Sequence, residues 1–265
     1  RMVIARGYTL EQRAKYPICP LQYQARCKMD LKFYDENKYL ISMTPADKII
    51  EAGTVLGLDE KCSVLDLCCG YGEMLKLWAE NFNIKGVGVD RCTEYINIGN
   101  RRLHDAQLNK NITLIAEDVQ RYTTDERFDI ACLCGVGDLF GGIEGHISML
   151  ERFIKPTGKL VIAECFLNKE SAPKEMKEFE GELYTLYELY KLFSECGWYV
   201  SWLSTGTDAD WERYISWEAQ RTIEKIRKRL DCERMLEWLD KWYRMYFKYR
   251  REYEGWGFFV LERIW

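Results

Sequence analysis

Histidine is almost missing from this chain, with two in 265 residues, and proline is sparse at five. No Ser/Gly tract interrupts the sequence. Without a flexible linker, residues 1–265 read as a single domain with elaborations rather than two domains on a tether. No apolar run approaches the length of a membrane span, and the first residues carry no apolar signal-peptide core. Arg1, ahead of Met2, is set aside as an extra residue. A basic excess is missing too: 38 Lys and Arg stand against 42 Asp and Glu, a net charge of −4. That balance argues against a general nucleic-acid binder. The eleven cysteines include no CxxC pair, so no metal site is expected. With no secretion signal, the thiols are expected to stay reduced in the cytoplasm.

What is present is enough apolar residue, 47%, for one large α/β core. From Lys61 onward, short apolar runs alternate with amphipathic stretches. The runs are Ser63–Leu67, Gly86–Val89, Thr113–Ala116, Asp129–Leu133 and Lys159–Ala163, the last fed by a turn at Lys155-Pro156-Thr157-Gly158. Continuous apolarity of this length is what a strand buried on both faces requires. A sixth strand is expected after Gly197 and a seventh near Gly257–Ile264. The pattern predicts a Rossmann-like, seven-stranded, mostly parallel sheet with helices on both faces and the last strand antiparallel.

The most informative run is Val64-Leu65-Asp66-Leu67-Cys68-Cys69-Gly70-Tyr71-Gly72-Glu73, which begins as a strand and ends where a helix starts. Gly70 and Gly72 permit a tight turn and a close ligand, to which the helix presents free N–H groups. A dinucleotide fingerprint needs a third glycine where Leu75 stands. Asp66, just before the turn, would repel a pyrophosphate but suits the cationic amino-acid end of S-adenosylmethionine (SAM). Asp90 ends the second run, the position that bonds ribose hydroxyls. Asp118 and Val119 follow the third, where an acid can accept the exocyclic amine of adenine. The fourth runs into Cys134-Gly135-Val136-Gly137-Asp138.

Taken in order, these motifs resemble class I SAM-dependent methyltransferases over roughly residues 45 to 165. The phrases Gly70–Leu75, Phe140-Gly141-Gly142, Asp210–Tyr214 and Gly255–Phe259 are similar to a group of uncharacterised bacterial small-molecule methyltransferases. The resemblance implies that Asp66, Gly70 and Gly72 hold the methionine part of SAM. Asp90 would hold the ribose, Asp118 and Val119 the adenine, and Cys134 would offer its carbonyl to the amino group. Arg91, beside Asp90, and Cys68, where the family usually has its first glycine, join this set. Loss of Asp90 is then expected to weaken SAM binding while leaving the fold untouched. Methyl transfer is a direct SN2 displacement that needs alignment and a dry site, so no catalytic base is assigned.

Two segments fall outside the sheet pattern, and both are expected to cover its carboxyl edge. Residues 1–50 read as a helical cap and 207–251 as a helical insertion forming a lid. Trp211 and Tyr214, three apart on one helical face, and Asp138 are the expected acceptor contacts. Trp238, Trp242, Met245, Tyr246 and Tyr249 form one apolar stripe, read as packing. The aromatic covers suggest a mostly apolar or planar acceptor. His146 is read as structural. Cys69, Cys92, Cys132, Cys134 and Cys165 could rim one pocket for a soft metalloid. Residues 221–251 carry eleven Lys/Arg against five Asp/Glu among aromatics, the one feature pointing to RNA. A small-molecule methyltransferase is therefore the leading reading. An RNA or metalloid methyltransferase and a non-catalytic SAM-binding module stand beside it.

Overall fold

The computed structural model describes residues 38–181, 183–228 and 232–264. The expected cap over 1–37 lies outside these. Helix α1 (Ala46–Leu56) leads into β1 (Ser63–Leu67), α2 (Glu73–Phe82) and β2 (Lys85–Asp90). Then come α3 (Thr93–Asp105), β3 (Ile112–Ala116), β4 (Phe128–Cys134), α4 (Ile143–Glu151) and β5 (Ile154–Leu167). The last third holds α5 (Lys174–Glu180), α6 (Leu186–Glu195), β6 (Tyr199–Thr205), α7 (Asp208–Arg227), α8 (Cys232–Met245) and β7 (Glu254–Glu262). The seven strands form one sheet in the order β3-β2-β1-β4-β5-β7-β6, parallel except for β7, which runs antiparallel to both neighbours.

The sheet is buried on both faces, and the reason is visible in alternate residues. Val64, Ile130, Val161 and Phe258 pack beneath Ile49, Leu75 and Trp78 on one side. Leu65, Ala131, Ile162 and Phe259 pack beneath Ile147, Leu150 and Trp198 on the other. Successive strand side chains point to opposite faces, so the central strands β1, β4 and β5 must be largely apolar where they cross the core. The expected turn at 155–158 is instead drawn into β5, where it appears as a register shift opposite Phe128 and Ile130. No helix among the described residues is long and apolar enough to cross a membrane.

After β6 the chain leaves the sheet through α7. A capping box fixes the exit: Thr207 N donates to Asp210 Oδ2 at 2.9 Å, and Asp210 N donates back to Thr207 Oγ1 at 3.3 Å. The apolar stripe of α8 does not continue to Tyr249. A π turn at Tyr246–Arg250 adds a residue to the repeat, so Arg250 is buried and Tyr249 turns outward to bond Glu175. Trp242, Met245 and Tyr246 are buried as expected, whereas Trp238 is 44% exposed.

Helix α7 also grips the segment before α1. Arg213 donates to the Ser42 carbonyl at 3.0 Å and Arg221 to the Lys38 carbonyl at 2.9 Å. On the sheet side, Trp256 Nε1 donates to Thr44 Oγ1 at 2.8 Å. Residues 38–45 are thus held between the insertion and β7.

Candidate functional site

The turn from β1 to α2 is built on left-handed backbone. Cys68 sits at φ 60°, a conformation that disfavours a side chain by about 1–2 kcal/mol. Gly72 N-caps α2 at φ 71°, and a Cβ there would stand 2.7 Å from Leu114. The turn is tied to β2 at two points: Cys69 N donates to the Val89 carbonyl at 3.1 Å and Gly70 N to Asp90 Oδ2 at 2.9 Å. The other Asp90 oxygen accepts from Cys92 N at 2.8 Å. Asp90 therefore supports the fold as well as facing the site, contrary to the expectation that it serves the ligand alone. Behind the turn, buried Glu73 is gripped by Arg102, with Nε–Oε2 at 3.0 Å and a second contact at 2.9 Å.

Two adjoining cavities open above this turn. The first is lined by Asp66, Cys68, Gly70, Asp90, Tyr95 and Cys134. The second is lined by Asp90, Arg91, Asp118, Val119, Gln120 and Leu139. Of the residues expected to bind the cofactor, Gly72 alone lines neither; it caps α2 beneath the turn. Asp66 is 3% exposed, and burial, then the charge of Asp90, hold its carboxyl well above the usual carboxylate range. A positively charged guest relieves both effects. Residues and group fit: the first cavity suits the amino-acid end and ribose of SAM, and the second suits adenine, with Asp118 at its wall and Val119 beneath.

The thiols near the turn are held in their protonated form. Burial, then Asp90 and Asp66, pushes the Cys68 thiol up to about 12. Burial also raises Cys69, Cys134 and Cys165 well above the usual thiol value, so all stay protonated near neutral pH. Cys132 does not rim the pocket; it is 0% exposed inside the sheet.

A third cavity shares Ile41 and Gly135 with the first and extends under the insertion. Trp211 and Tyr214 both line it, with Trp242 and Trp256. Tyr214 stands edge-on to Trp242 at 5.8 Å, and burial raises its phenol. Asp138 is not with them; it lines a fourth cavity together with His146 and Tyr184. Glu164 borders both of these cavities. Its Oε1 accepts from Cys165 N at 3.0 Å, while Oε2 is buried without a hydrogen-bond partner among the described residues. Burial, with a smaller contribution from Glu254, pushes the Glu164 carboxyl up to about 7. Glu254 is pushed up to about 7 in the same way, against the opposing pull of Arg250. Arg250 Nε lies 3.0 Å from Glu254 Oε2, an ion pair without hydrogen-bond alignment, and donates to Glu180 Oε1 at 2.7 Å.

Glu164, Glu180, Arg250 and Glu254 went unread in the sequence. Glu164 did leave a signal: it interrupts the apolar run Val161–Leu167 at the carboxyl end of β5, the edge where open α/β sheets bind ligands. The third cavity is thus lined by charged as well as aromatic side chains. Five cations of the basic stretch 221–251 have carboxylate partners: Arg221 meets Glu218, Arg244 meets Asp240, Lys248 meets Glu175, Arg250 meets Glu180 and Glu254, and Arg251 meets Asp208 and Glu212.

With the geometry in hand, known proteins can be set beside it. A family model described as a methyltransferase domain matches residues 58–244. The Escherichia coli protein YjhP is 27% identical over 223 residues, 81% of this chain and 90% of that protein. A SAM-dependent methyltransferase from Geobacter sulfurreducens, solved with S-adenosyl-L-homocysteine (SAH), superposes with a TM-score of 0.79 at 24% identity, covering 88% of this chain and 98% of that one. One from Thiobacillus denitrificans, also solved with SAH, gives 0.79 at 23%, covering 90% and 100%. The chain belongs to the methyltransferase-domain family and is a SAM-dependent methyltransferase.

Proposed function

We propose that the acceptor is a small molecule taken into the cavity between the carboxyl edge of the sheet and the insertion. The observation that carries this is the junction at Gly135. It borders the cavities assigned to the two ends of SAM and also the one lined by Trp211 and Tyr214. When bound, SAM supplies an electrophilic methyl group on a sulfonium. Asp66 and the Cys134 carbonyl hold its amino group, Asp90 the ribose, and Arg91, Asp118 and Val119 the adenine. Trp211 and Tyr214 position the acceptor, with Asp138 at the mouth of the adjoining cavity.

Residues 38–45 and 207–251 act as one lid over a single domain, since Arg213 and Arg221 bolt the first to the second. Such a cover excludes water, which direct displacement favours. The eight described cysteines are free thiols, as suits a protein working in the reducing cytoplasm. The reading is tested by incubating the protein with SAM and either a metabolite extract or total RNA, and measuring SAH. SAH formed with the extract supports it; SAH formed only with RNA contradicts it.

A further inference from the structure

The chemistry of the acceptor can be read from what faces Glu164. Four carboxylates, those of Asp138, Glu164, Glu180 and Glu254, border the two cavities that meet there. Among the lining residues the one arginine, Arg250, is committed to Glu180 and Glu254. His146 is 2% exposed, and neither of its ring nitrogens has a partner among the described residues. Burial lowers its pKa, so it is neutral near pH 7 and does not offset the carboxylates. The same cavity is lined by the aromatic side chains of Trp211, Tyr214 and Trp256. A guest bearing N–H groups satisfies Glu164 Oε2 and His146 together. A positive charge on that guest is favoured by the carboxylates and by the ring faces. A carboxylate or phosphate is repelled by the same groups.

We propose that the acceptor is a primary or secondary amine, bound as its ammonium between Glu164 and these aromatic side chains, and that Glu164 takes the proton the nitrogen must lose. The inference rests on the small-molecule reading above. The N–H bond breaks, its proton passes to Glu164 Oε2, and the lone pair stays on nitrogen. That pair forms the new N–C bond to the methyl carbon while the C–S bond breaks, its electrons remaining on sulfur. The positive charge leaves sulfur and reappears on the methylated nitrogen. The proton on Glu164 then returns to solvent on the side of exposed Asp138. A carboxyl held near 7 exchanges that proton readily at neutral pH.

The test begins by saturating the full chain with SAH. Calorimetry then follows 2-phenylethylamine, 2-phenylethanol and phenylacetate, probes of one shape that differ in charge. The amine should bind at least tenfold more tightly than the alcohol, and phenylacetate should show no binding. Amine binding near pH 7 should release protons, read as a heat that changes with the buffer's ionisation enthalpy, because the ammonium draws the proton off Glu164. Glu164→Gln should abolish that release and most of the preference while SAH still binds. Glu164→Asp, a smaller disturbance, should keep part of both. Equal or tighter binding of the alcohol or phenylacetate, no amine binding, or an undiminished preference in Glu164→Gln overturns the proposal. Failure of SAH to bind at the outset overturns the methyltransferase reading instead, so the two failures are distinct.

Discussion

Asp90 and Gly70 stand twenty positions apart and are joined by a 2.9 Å hydrogen bond from the Gly70 amide to the Asp90 carboxylate. One residue thus latches the glycine turn and lines the two cavities proposed for SAM. Asp90→Ala should weaken SAM binding by roughly 1.5–3 kcal/mol, the scale of hydrogen bonds to a charged group. It should also destabilise the ligand-free protein by about 1–3 kcal/mol, because the Gly70 and Cys92 amides lose their partner. Calorimetry and urea unfolding read the two effects separately. A stability equal to wild type would show that the latch carries nothing.

Cys68 provides the opposite case, a residue whose backbone conformation suits glycine better. At φ 60°, Cys68→Gly should stabilise the protein by about 1 kcal/mol, the left-handed penalty less the extra chain entropy of glycine. Unfolding in urea checks this. A destabilised variant would mean that the side chain's packing outweighs the strain.

The pH dependence of stability follows from Glu164. A carboxyl with a folded pKa near 7, above its ordinary 4.5, favours the fold when protonated. That contribution is full below about 4.5 and is lost as the pH rises through 7. Wild type should therefore weaken between pH 5 and pH 8, with Glu254 acting in the same sense. Glu164→Gln should remove part of this slope, up to roughly 3 kcal/mol, and leave the variant the more stable protein at pH 8. Parallel stability-versus-pH curves would refute the assignment.

Tyr214 separates acceptor contact from packing. Its ring packs on Trp242 and its residue lines the cavity proposed for the acceptor. With an identified acceptor, Tyr214→Phe should lower kcat/KM severalfold while SAM affinity and Tm hold, the pattern expected when an orienting hydroxyl is lost. Unchanged kinetics would move the acceptor away from this residue.

The parts legible in the sequence share a physical cause. The central strands are buried on both faces, so their apolar runs announce them, and β1 spans Ser63–Leu67 as expected. Asp66, Asp90 and Asp118 were visible because each lies at or just past a strand's carboxyl end, the edge where open α/β sheets bind ligands. Glu164 occupies the same kind of position on β5 but was hidden by the longer strand that continues past it to Leu167. Arg250 could not be placed from a 3.6-residue period, because the π turn changes the period at that point. Glu254 is brought within electrostatic reach of Glu164 by the antiparallel return of β7, where it pairs opposite Leu167, a neighbourhood that no local pattern encodes.

On the proposed reading, Asp66 and the turn after it receive the cationic end of SAM rather than a pyrophosphate. Calorimetric titration of the ligand-free protein with SAM, and in parallel with NADH, tests it most directly. The account predicts saturable, one-to-one binding of SAM and no measurable heat from NADH. Binding of NADH with none of SAM would contradict it.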